Sequence, residues 1–249
     1  MSDSVAGVVL AAGEGRRLRP LTRVRPKALC PVGNVPLVDL ALERLDGVTA
    51  VAVNVHHHRD AMEAHLHPSV HRSVEEGEAL GTAGALGQLR SWLDGRAAVV
   101  VNADVWCPGS LGPFVDGWDG ERIRLLLVGE DELRPRSRVA GALMPWAAVA
   151  RLEPVPSGLY EVSWRAAADA DAVDVLRYDG DFVDCGTPEQ YLDANLRASG
   201  GASVVGDGAV VEGDIERTVV WPGAVVHPRE VLVDAIRFNR GDTVLVRGR

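Results

Sequence analysis

Buried-strand patterns alternate with helical patterns along the first half of the chain. Four short runs are apolar almost throughout, as expected of central strands that are covered on both faces. These runs are Val5–Leu10, Ala50–Val55, Ala97–Val101 and Ile123–Val128. Strand–helix–strand alternation implies right-handed crossovers. The pattern therefore predicts an α/β fold with a doubly wound (Rossmann-like), mostly parallel sheet.

Helical spacing of apolar residues predicts four helices. One begins at Pro36, since proline suits the first turn of a helix. The others are Asp60–Leu66, Thr82–Leu93 and Pro188–Ala198. Ligands of a doubly wound sheet bind beyond the carboxyl ends of its strands. The residues that directly follow each predicted strand are therefore the first candidates for a functional site.

The pattern changes after the glycine pair at 200–201. Short apolar steps with glycine punctuation follow, and Gly208-Ala209-Val210 recurs as Gly223-Ala224-Val225. This rhythm favours a left-handed parallel β-helix of the hexapeptide type over a few ordinary strands with glycine turns. We expect a main domain over 1–198 and a small C-terminal β segment over 199–249. Because a short coil leaves its ends uncovered, this segment is also the candidate contact for a homo-oligomer.

Composition and charge limit the classes of partner that the chain is expected to bind. The chain has 26 basic and 35 acidic side chains, a formal charge of −9, which argues against nucleic-acid binding. No apolar run approaches the length of a membrane span, and the first four residues lack the features of a signal peptide. Three scattered cysteines, Cys30, Cys107 and Cys185, suggest reduced thiols. We therefore expect a cytoplasmic protein without membrane contact.

Positive charge is concentrated just after the first strand. A glycine-rich turn there precedes five arginines and Lys27, the only lysine in the chain. Glycines let backbone N–H groups approach a phosphate closely. The turn is not a P-loop, because no Gly-Lys-Ser/Thr follows it, and it is not a dinucleotide fingerprint, because the third glycine is missing. Local positive charge in an acidic chain predicts a small polyanionic ligand.

The same segment resembles the signature of the sugar-1-phosphate nucleotidyltransferases, the enzymes that make nucleoside-diphosphate sugars. The matching residues are Leu10, Ala11, Gly13, Gly15, Arg17, Leu18, Pro20, Leu21, Thr22, Pro26 and Lys27. Later segments are similar too, and the overall look is that of mannose-1-phosphate guanylyltransferase-like members. The resemblance makes 1–198 the catalytic domain.

The resemblance implies four catalytic residues. Asp104 follows the third strand, and Asp184 lies in an Asp-Cys-Gly-Thr-Pro segment similar to a second family motif. Two carboxylates of this kind imply a bound Mg²⁺. Arg17 is expected to stabilise the phosphate oxygens and the departing pyrophosphate. Lys27 is expected to bridge the α-phosphate and the sugar phosphate.

The resemblance also implies a set of nucleotide-binding residues. The turn after the first strand would cradle the triphosphate, and the Leu-Gly-Thr-Ala-Gly segment would lie near the base. By this alignment the residues are Leu10, Ala11, Ala12, Gly13, Glu14, Gly15, Glu76, Gly81 and Thr82. A glutamate at a base-reading position can accept hydrogen bonds from guanine, so GTP is the favoured nucleotide.

The sugar site departs from the family pattern. The family's Glu-Lys-Pro segment, whose lysine contacts the sugar phosphate, has no counterpart in a chain with one lysine. Gly141 lies in a segment that resembles the family's sugar-contact strand and is the sugar-binding candidate. The interval between the two aspartates is short for the family.

Three hypotheses follow. The first is a nucleotidyltransferase that condenses an NTP, GTP favoured, with a sugar 1-phosphate. The second is a non-catalytic homologue that senses nucleotides or sugar nucleotides, for which the missing Glu-Lys-Pro segment argues. The third is a cytidylyltransferase for a small phosphorylated alcohol, which would suit a trimmed sugar site.

Overall fold

A computed structural model describes residues 5–246 of the chain. Its strands are β1 (Val5–Leu10), β2 (Pro31–Val32), β3 (Val35–Pro36), β4 (Val51–Val55), β5 (His71–Val74), β6 (Ala97–Asn102), β7 (Val105–Trp106), β8 (Ile123–Val128), β9 (Val139–Met144), β10 (Val173–Tyr178), β11 (Val183–Asp184), β12 (Val204–Val205), β13 (Val210–Val211), β14 (Asp214–Glu216), β15 (Val219–Val220), β16 (Val225–Val226), β17 (Val231–Val233), β18 (Ala235–Phe238) and β19 (Asp242–Leu245).

The α-helices are α1 (Leu37–Glu43), α2 (Arg59–His65), α3 (Gly81–Gln88), α4 (Arg90–Leu93), α5 (Gly112–Val115), α6 (Trp146–Val149), α7 (Arg165–Asp169) and α8 (Pro188–Ala198). Short 3₁₀ turns lie at Arg16–Leu18, Leu21–Arg23 and Lys27–Leu29, and a π-helical turn, Tyr160–Trp164, precedes α7. Among the described residues, no helix combines the length and apolarity needed to cross a lipid bilayer.

The first of two compact units contains residues 5–13, 40–103 and 107–182. Its seven-stranded sheet has the order β10-β8-β9-β6-β1-β4-β5, and only β9 runs antiparallel to its neighbours. The central strand β1 pairs in parallel with β4 and β6. This confirms the predicted doubly wound, mostly parallel sheet.

Alternate residues of β1 face different layers of this unit. Val8 belongs to a core with Leu86 of α3 and Leu93 of α4. On the opposite face, a Cβ placed on Gly7 would lie 2.8 Å from Leu45 Cδ1, so this face is covered as well. Burial on both faces explains why the predicted central strands are almost wholly apolar.

The second unit contains residues 14–39, 104–106 and 183–246. Parallel pairs β12/β15, β13/β16 and β14/β17 form separate narrow sheets, and β15 continues to β18. Val210 of the first Gly-Ala-Val copy lies opposite Val225 of the second. The C-terminal residues thus form a β-helix-like coil with the predicted repeat.

Helix α8 is linked to this coil by buried polar contacts. The Tyr191 hydroxyl donates to the carbonyl of Pro31 and accepts a bond of 2.9 Å from Trp221 Nε1. Asn195 Oδ1 accepts a bond of 3.1 Å from the Gly33 amide. Both aromatic side chains are buried, so these contacts join α8, the β2–β3 hairpin and the coil in one unit.

Three details differ from the predicted elements. Helix α1 begins at Leu37, because Pro36 ends the short strand β3. The helix predicted over Thr82–Leu93 is two helices, α3 and α4, separated at Leu89. The two compact units do not follow a division at 198/199, since segments 14–39 and 104–106 group with the C-terminal residues. That division as a boundary of domains stays a prediction.

Candidate active site

The segment after β1 begins in the first unit. Leu10 ends β1, and the Ala11 amide donates to Asn54 Oδ1 at 2.6 Å. Ala12 is buried, whereas Gly13 is exposed, and a Cβ added to it would have no neighbour within 4 Å. Backbone is therefore accessible at Gly13, as a phosphate-binding turn requires.

Gly15 allows the chain to fold back onto the predicted catalytic lysine. Its φ is +65°, and a Cβ at this position would lie 2.9 Å from Thr22 Cγ2 and 3.1 Å from Lys27 Cβ. The Thr22 hydroxyl donates to the Gly15 carbonyl at 2.9 Å. Only glycine combines this left-handed conformation with such a close approach.

The arginines of this segment do not form one cationic cluster. The Glu14 carboxylate forms ion pairs with Arg16 and Arg19. The Arg25 guanidinium stacks 4.2 Å from the centre of the Trp221 ring. The local charge predicted for a polyanion is thus dispersed, and Arg17 is the arginine that reaches one of the predicted catalytic carboxylates.

A short antiparallel ribbon brings the two aspartates together. Strands β7 and β11 pair with Val105 opposite Asp184 and Trp106 opposite Val183. The Cys185 amide donates to the Asp104 carbonyl at 3.0 Å and extends this ladder by one residue. The ladder therefore holds Asp104, which directly precedes β7, close to Asp184 on β11.

Lys27 lies between these carboxylates. Its Nζ donates to Asp104 Oδ2 at 2.9 Å and lies 3.5 Å from Asp184 Oδ1. The lysine side chain is 7% exposed, whereas the side chains of Asp104 and Asp184 are 49% and 37% exposed. Arg17 Nη2 approaches Asp184 Oδ2 at 3.9 Å from solvent. The predicted catalytic residues thus form one cluster, in which a buried ammonium orients two accessible carboxylates.

The cluster fits a magnesium ion better than a transition metal. In the described part of the chain, no group of three or more His, Cys, Asp or Glu side chains is arranged to hold a metal. Mg²⁺ commonly takes only one or two protein carboxylates and completes its shell with water and phosphate oxygens. Two half-exposed carboxylates at one paired ribbon match that demand.

Two buried thiols in this unit favour their neutral form. Burial raises the pKa of Cys30 and of Cys185 to about 12, although the Lys27 ammonium acts in the opposite direction. Both are therefore neutral at physiological pH, and a neutral thiol is a poor nucleophile. The three cysteines are free and buried, as expected for reduced thiols.

The predicted base-reading turn opens helix α3 in the first unit. Gly81 has a φ of +69°, and the Thr82 hydroxyl oxygen accepts a bond of 2.9 Å from the Leu159 amide. Glu76 is exposed, and its carboxylate pairs with Arg59 Nη1 at 3.0 Å. The assignment of Glu76, Gly81 and Thr82 to the nucleotide stays a prediction.

The neighbouring glutamate was missed. Glu75 is buried and accepts hydrogen bonds from Asn54 Nδ2 at 2.6 Å and from the Leu80 amide at 2.8 Å. The available signal was Asn54 itself, a polar residue that continues an apolar strand, since such a residue needs a buried partner.

Gly141 lies within β9, the third strand from one edge of the sheet. A Cβ added there would lie 3.2 Å from Leu111 Cδ2 and 3.6 Å from Phe114 Cε1, so this backbone is covered by apolar side chains. A sugar contact at Gly141 remains a prediction.

Comparisons with known proteins support the predicted class. The family model described as nucleotidyl transferase matches residues 6–126. The fold is shared with a crystal structure from Bacillus anthracis assigned as a glucose-1-phosphate thymidylyltransferase, with a TM-score of 0.67 and 21% identity. The match covers 78% of this chain and 95% of that one.

Two curated relatives refine this class. N-acetylmuramate alpha-1-phosphate uridylyltransferase of Caulobacter vibrioides is 38% identical over 136 residues, which is 49% of this chain and 56% of the relative. Mannose-1-phosphate guanyltransferase of Debaryomyces hansenii is 38% identical over 112 residues, 41% of this chain and 31% of the relative. The chain thus matches about half or less of these relatives' lengths. The predicted resemblance to the sugar-1-phosphate nucleotidyltransferases is confirmed by the family model and by both relatives.

Proposed function

We propose that the protein transfers a nucleotidyl group from an NTP to a sugar 1-phosphate and releases pyrophosphate. The observation that carries this proposal is the cluster in which Lys27 bridges Asp104 and Asp184 while both carboxylates stay accessible. An oxygen of the sugar phosphate attacks the α-phosphorus, and the bond from that phosphorus to the bridging oxygen of the β-phosphate breaks. The nucleophile is already an anion, so the reaction depends on positioning and charge neutralisation.

The protein's own side chains supply these two functions. Lys27, fixed by two carboxylates, offers a compact cation that can follow a phosphoryl group as its geometry changes. Arg17 is 72% exposed and can place two donors on phosphate oxygens of an incoming ligand. The accessible backbone at Gly13 supports the proposed triphosphate contact of 10–15.

Asp104 and Asp184 are the residues that would hold Mg²⁺. The ion would neutralise charge on the phosphate oxygens. The lysine that already lies against both carboxylates would keep them oriented before the ion arrives.

The base and the sugar are finer parts of the proposal. The relatives divide between uridylyl and guanylyl transfer. GTP remains the first choice, because a carboxylate at Glu76 could accept from the N1–H and amino group of guanine. The shortened interval between Asp104 and Asp184 and the missing second lysine favour a sugar 1-phosphate held by arginine.

A substrate matrix tests the proposal. The protein is incubated with Mg²⁺, each of ATP, GTP, CTP, UTP and dTTP, and a set of hexose and amino-sugar 1-phosphates, with phosphocholine as a further acceptor. Pyrophosphate release and the nucleotide product are measured together. We expect turnover with at least one sugar 1-phosphate.

Each other outcome selects a different function. Turnover with CTP and phosphocholine alone would replace the proposal by a cytidylyltransferase for alcohol phosphates. Nucleotide binding without turnover of any pair would replace it by a sensing role. Absence of both would remove the nucleotide from the function.

A further inference from the structure

A directional chain of hydrogen bonds runs through the interior of the first unit. The Ala11 amide donates to Asn54 Oδ1 at 2.6 Å, and Asn54 Nδ2 donates to Glu75 Oε1 at 2.6 Å. Glu75 Oε2 accepts from the Leu80 amide at 2.8 Å. We name these two side chains and their three hydrogen bonds the Asn54–Glu75 relay.

The relay holds a buried carboxylate without a cation. Asn54 and Glu75 are each 3% exposed, and no lysine or arginine of the described residues forms an ion pair with Glu75. Burying a carboxylate is costly unless its oxygens accept hydrogen bonds. Here both oxygens accept one, from donors that the surrounding fold fixes.

The direction of the bonds explains the residue types. Both ends of the relay, Ala11 and Leu80, are backbone N–H donors. An amide between them can accept from one donor, but it must then donate onward with its NH₂ group. The last member therefore has to accept twice, and a carboxylate does so whereas an amide or a protonated carboxyl does not.

The two ends of the relay are the beginnings of two predicted ligand-binding segments. Ala11 starts the turn that is proposed to hold the triphosphate. Leu80 directly precedes Gly81 and Thr82, the segment proposed to lie near the base. The second segment is held further by the Ala83 amide, which donates to the Ser157 carbonyl at 3.0 Å. One nucleotide would have to contact both segments at once.

We propose that Asn54 and Glu75 are positioning residues that set the distance between the triphosphate turn and the base turn. They act through the backbone amides of Ala11 and Leu80 and do not contact the substrate themselves. This inference rests on the proposed function, because it assigns the two segments to one nucleotide.

If the relay acts in this way, exchanging the amide and the carboxylate between positions 54 and 75 should restore the NTP affinity that each single substitution lowers. In Glu75→Gln, one N–H donor is left facing another donor. In Asn54→Asp, two buried carboxylates face each other. In the double variant Asn54→Asp/Glu75→Gln, the carboxylate introduced at position 54 would accept from Ala11 and from the new amide, whose oxygen would accept from Leu80. All donors are then satisfied, with the direction of the middle bond reversed.

The experiment measures nucleotide binding and turnover across this cycle. Wild type, both single variants and the double variant are compared with Glu78→Gln, which removes a carboxylate from an exposed position of the same loop. Binding of the best NTP is measured by calorimetry, and circular dichroism confirms that each variant is folded at the assay temperature. KM for each substrate and kcat are then determined.

We expect each single variant to weaken NTP binding and to raise the KM for NTP roughly tenfold or more, the size expected for one unsatisfied buried donor. The KM for the sugar 1-phosphate should change less than about twofold, because the relay does not reach Lys27, Asp104 or Asp184. The double variant should return the affinity for NTP to within about threefold of wild type. Glu78→Gln should resemble wild type.

Several outcomes would overturn the inference. Single variants that lose thermal stability but keep the wild-type affinity for NTP would reduce the relay to a structural role. A double variant no better than the worse single variant would contradict the directional mechanism, even if both single variants fold poorly. If the wild-type protein binds NTP without turnover, the proposed reaction is refuted. The NTP affinities of the four proteins would still show whether the relay positions the two segments.

Discussion

The carboxylates of this protein are held in two opposite ways. Asp104 and Asp184 are bound to an ammonium, and between a third and a half of each side chain is exposed. Glu75 is buried and bound only to neutral N–H donors. A carboxylate oriented by a cation and left open can still accept a ligand, whereas one enclosed by fixed donors can act only by positioning the backbone around it. The contrast separates two open carboxylates, which can take a ligand, from a packed one.

The largest expected effect comes from removing the cation that orients the two open carboxylates. Lys27→Ala should reduce kcat roughly 10²- to 10³-fold, because the two carboxylates lose the cation that orients them and the phosphates lose a donor. Pyrophosphate release under saturating substrates measures this effect, and Arg23→Ala, at an exposed position of the same segment, is the control. Near wild-type turnover of the folded Lys27→Ala protein would show that this lysine is not catalytic.

The Mg²⁺ concentration needed for activity should respond to a change in an open carboxylate and not to a change in the packed one. Asp104→Asn should raise the Mg²⁺ concentration for half-maximal activity roughly tenfold or more, because it removes a charged oxygen ligand. Glu75→Gln should leave that concentration unchanged, whatever it does to NTP binding. Mg²⁺ titrations at saturating NTP measure the difference. Equal shifts in both variants would mean that the division between open and packed carboxylates is wrong.

The glycines after β1 offer the same contrast in the backbone. Gly15→Ala should lower the free energy of unfolding by about 1–3 kcal/mol, because a left-handed residue packed against Lys27 and Thr22 gains a Cβ. Gly13→Ala should leave stability nearly unchanged and still raise the KM for NTP, since the new methyl group would stand where the phosphate approaches. Denaturant unfolding and NTP titration check the pair. A Gly13→Ala protein with normal NTP affinity would remove this turn from the triphosphate site.

The buried thiols should make the folded protein less stable as the pH rises into the alkaline range. Burial raises the pKa of Cys30 and Cys185 from 9.0 to about 12. The folded state therefore binds more protons than the unfolded state above pH 9, and the stability that the neutral thiols contribute is lost as the pH rises from 9 towards 12. Thermal unfolding of wild type and Cys30→Ala from about pH 8 to about pH 10.5 measures the slope. A slope identical in both proteins would contradict the assignment to this thiol.

The smallest effect should come from an exposed glutamate. Glu76→Gln should leave the unfolding temperature unchanged, since exposed ion pairs such as Glu76–Arg59 stabilise a protein little. If Glu76 reads the base, the preference for GTP over ATP should fall in this variant. An unchanged preference would move base recognition to the backbone near Gly81.

Periodicity predicted the parts of the fold that are buried on both faces. The strands β1, β4, β6 and β8 are apolar runs, and a continuous apolar run is a strong signal. The composition of β9 does not reveal that this strand runs antiparallel, because its direction is seen only in its pairing with β6 and β8. The ribbon β7–β11 has two residues on each side, too few for any period.

The family signature located Lys27, Asp104 and Asp184, since each occupies a motif position. It did not separate Glu75 from Glu76. Adjacent glutamates in a loop have no periodicity that decides which one is buried, and only the contact of Glu75 with Asn54 on a neighbouring strand settles it. Likewise, the charges of Arg16 and Arg19 counted towards a phosphate pocket until their ion pairs with Glu14 were seen.

The β7–β11 ribbon makes the spacing of the two aspartates independent of the length of chain between them. The chain departs after Trp106 and returns at Val183, directly opposite on the paired strand. The ladder fixes the positions of Asp104 and Asp184 relative to each other, and the length of residues 107–182 does not enter. We therefore expect that residues 107–182 can be shortened, lengthened or exchanged by grafting while the carboxylate pair keeps its spacing.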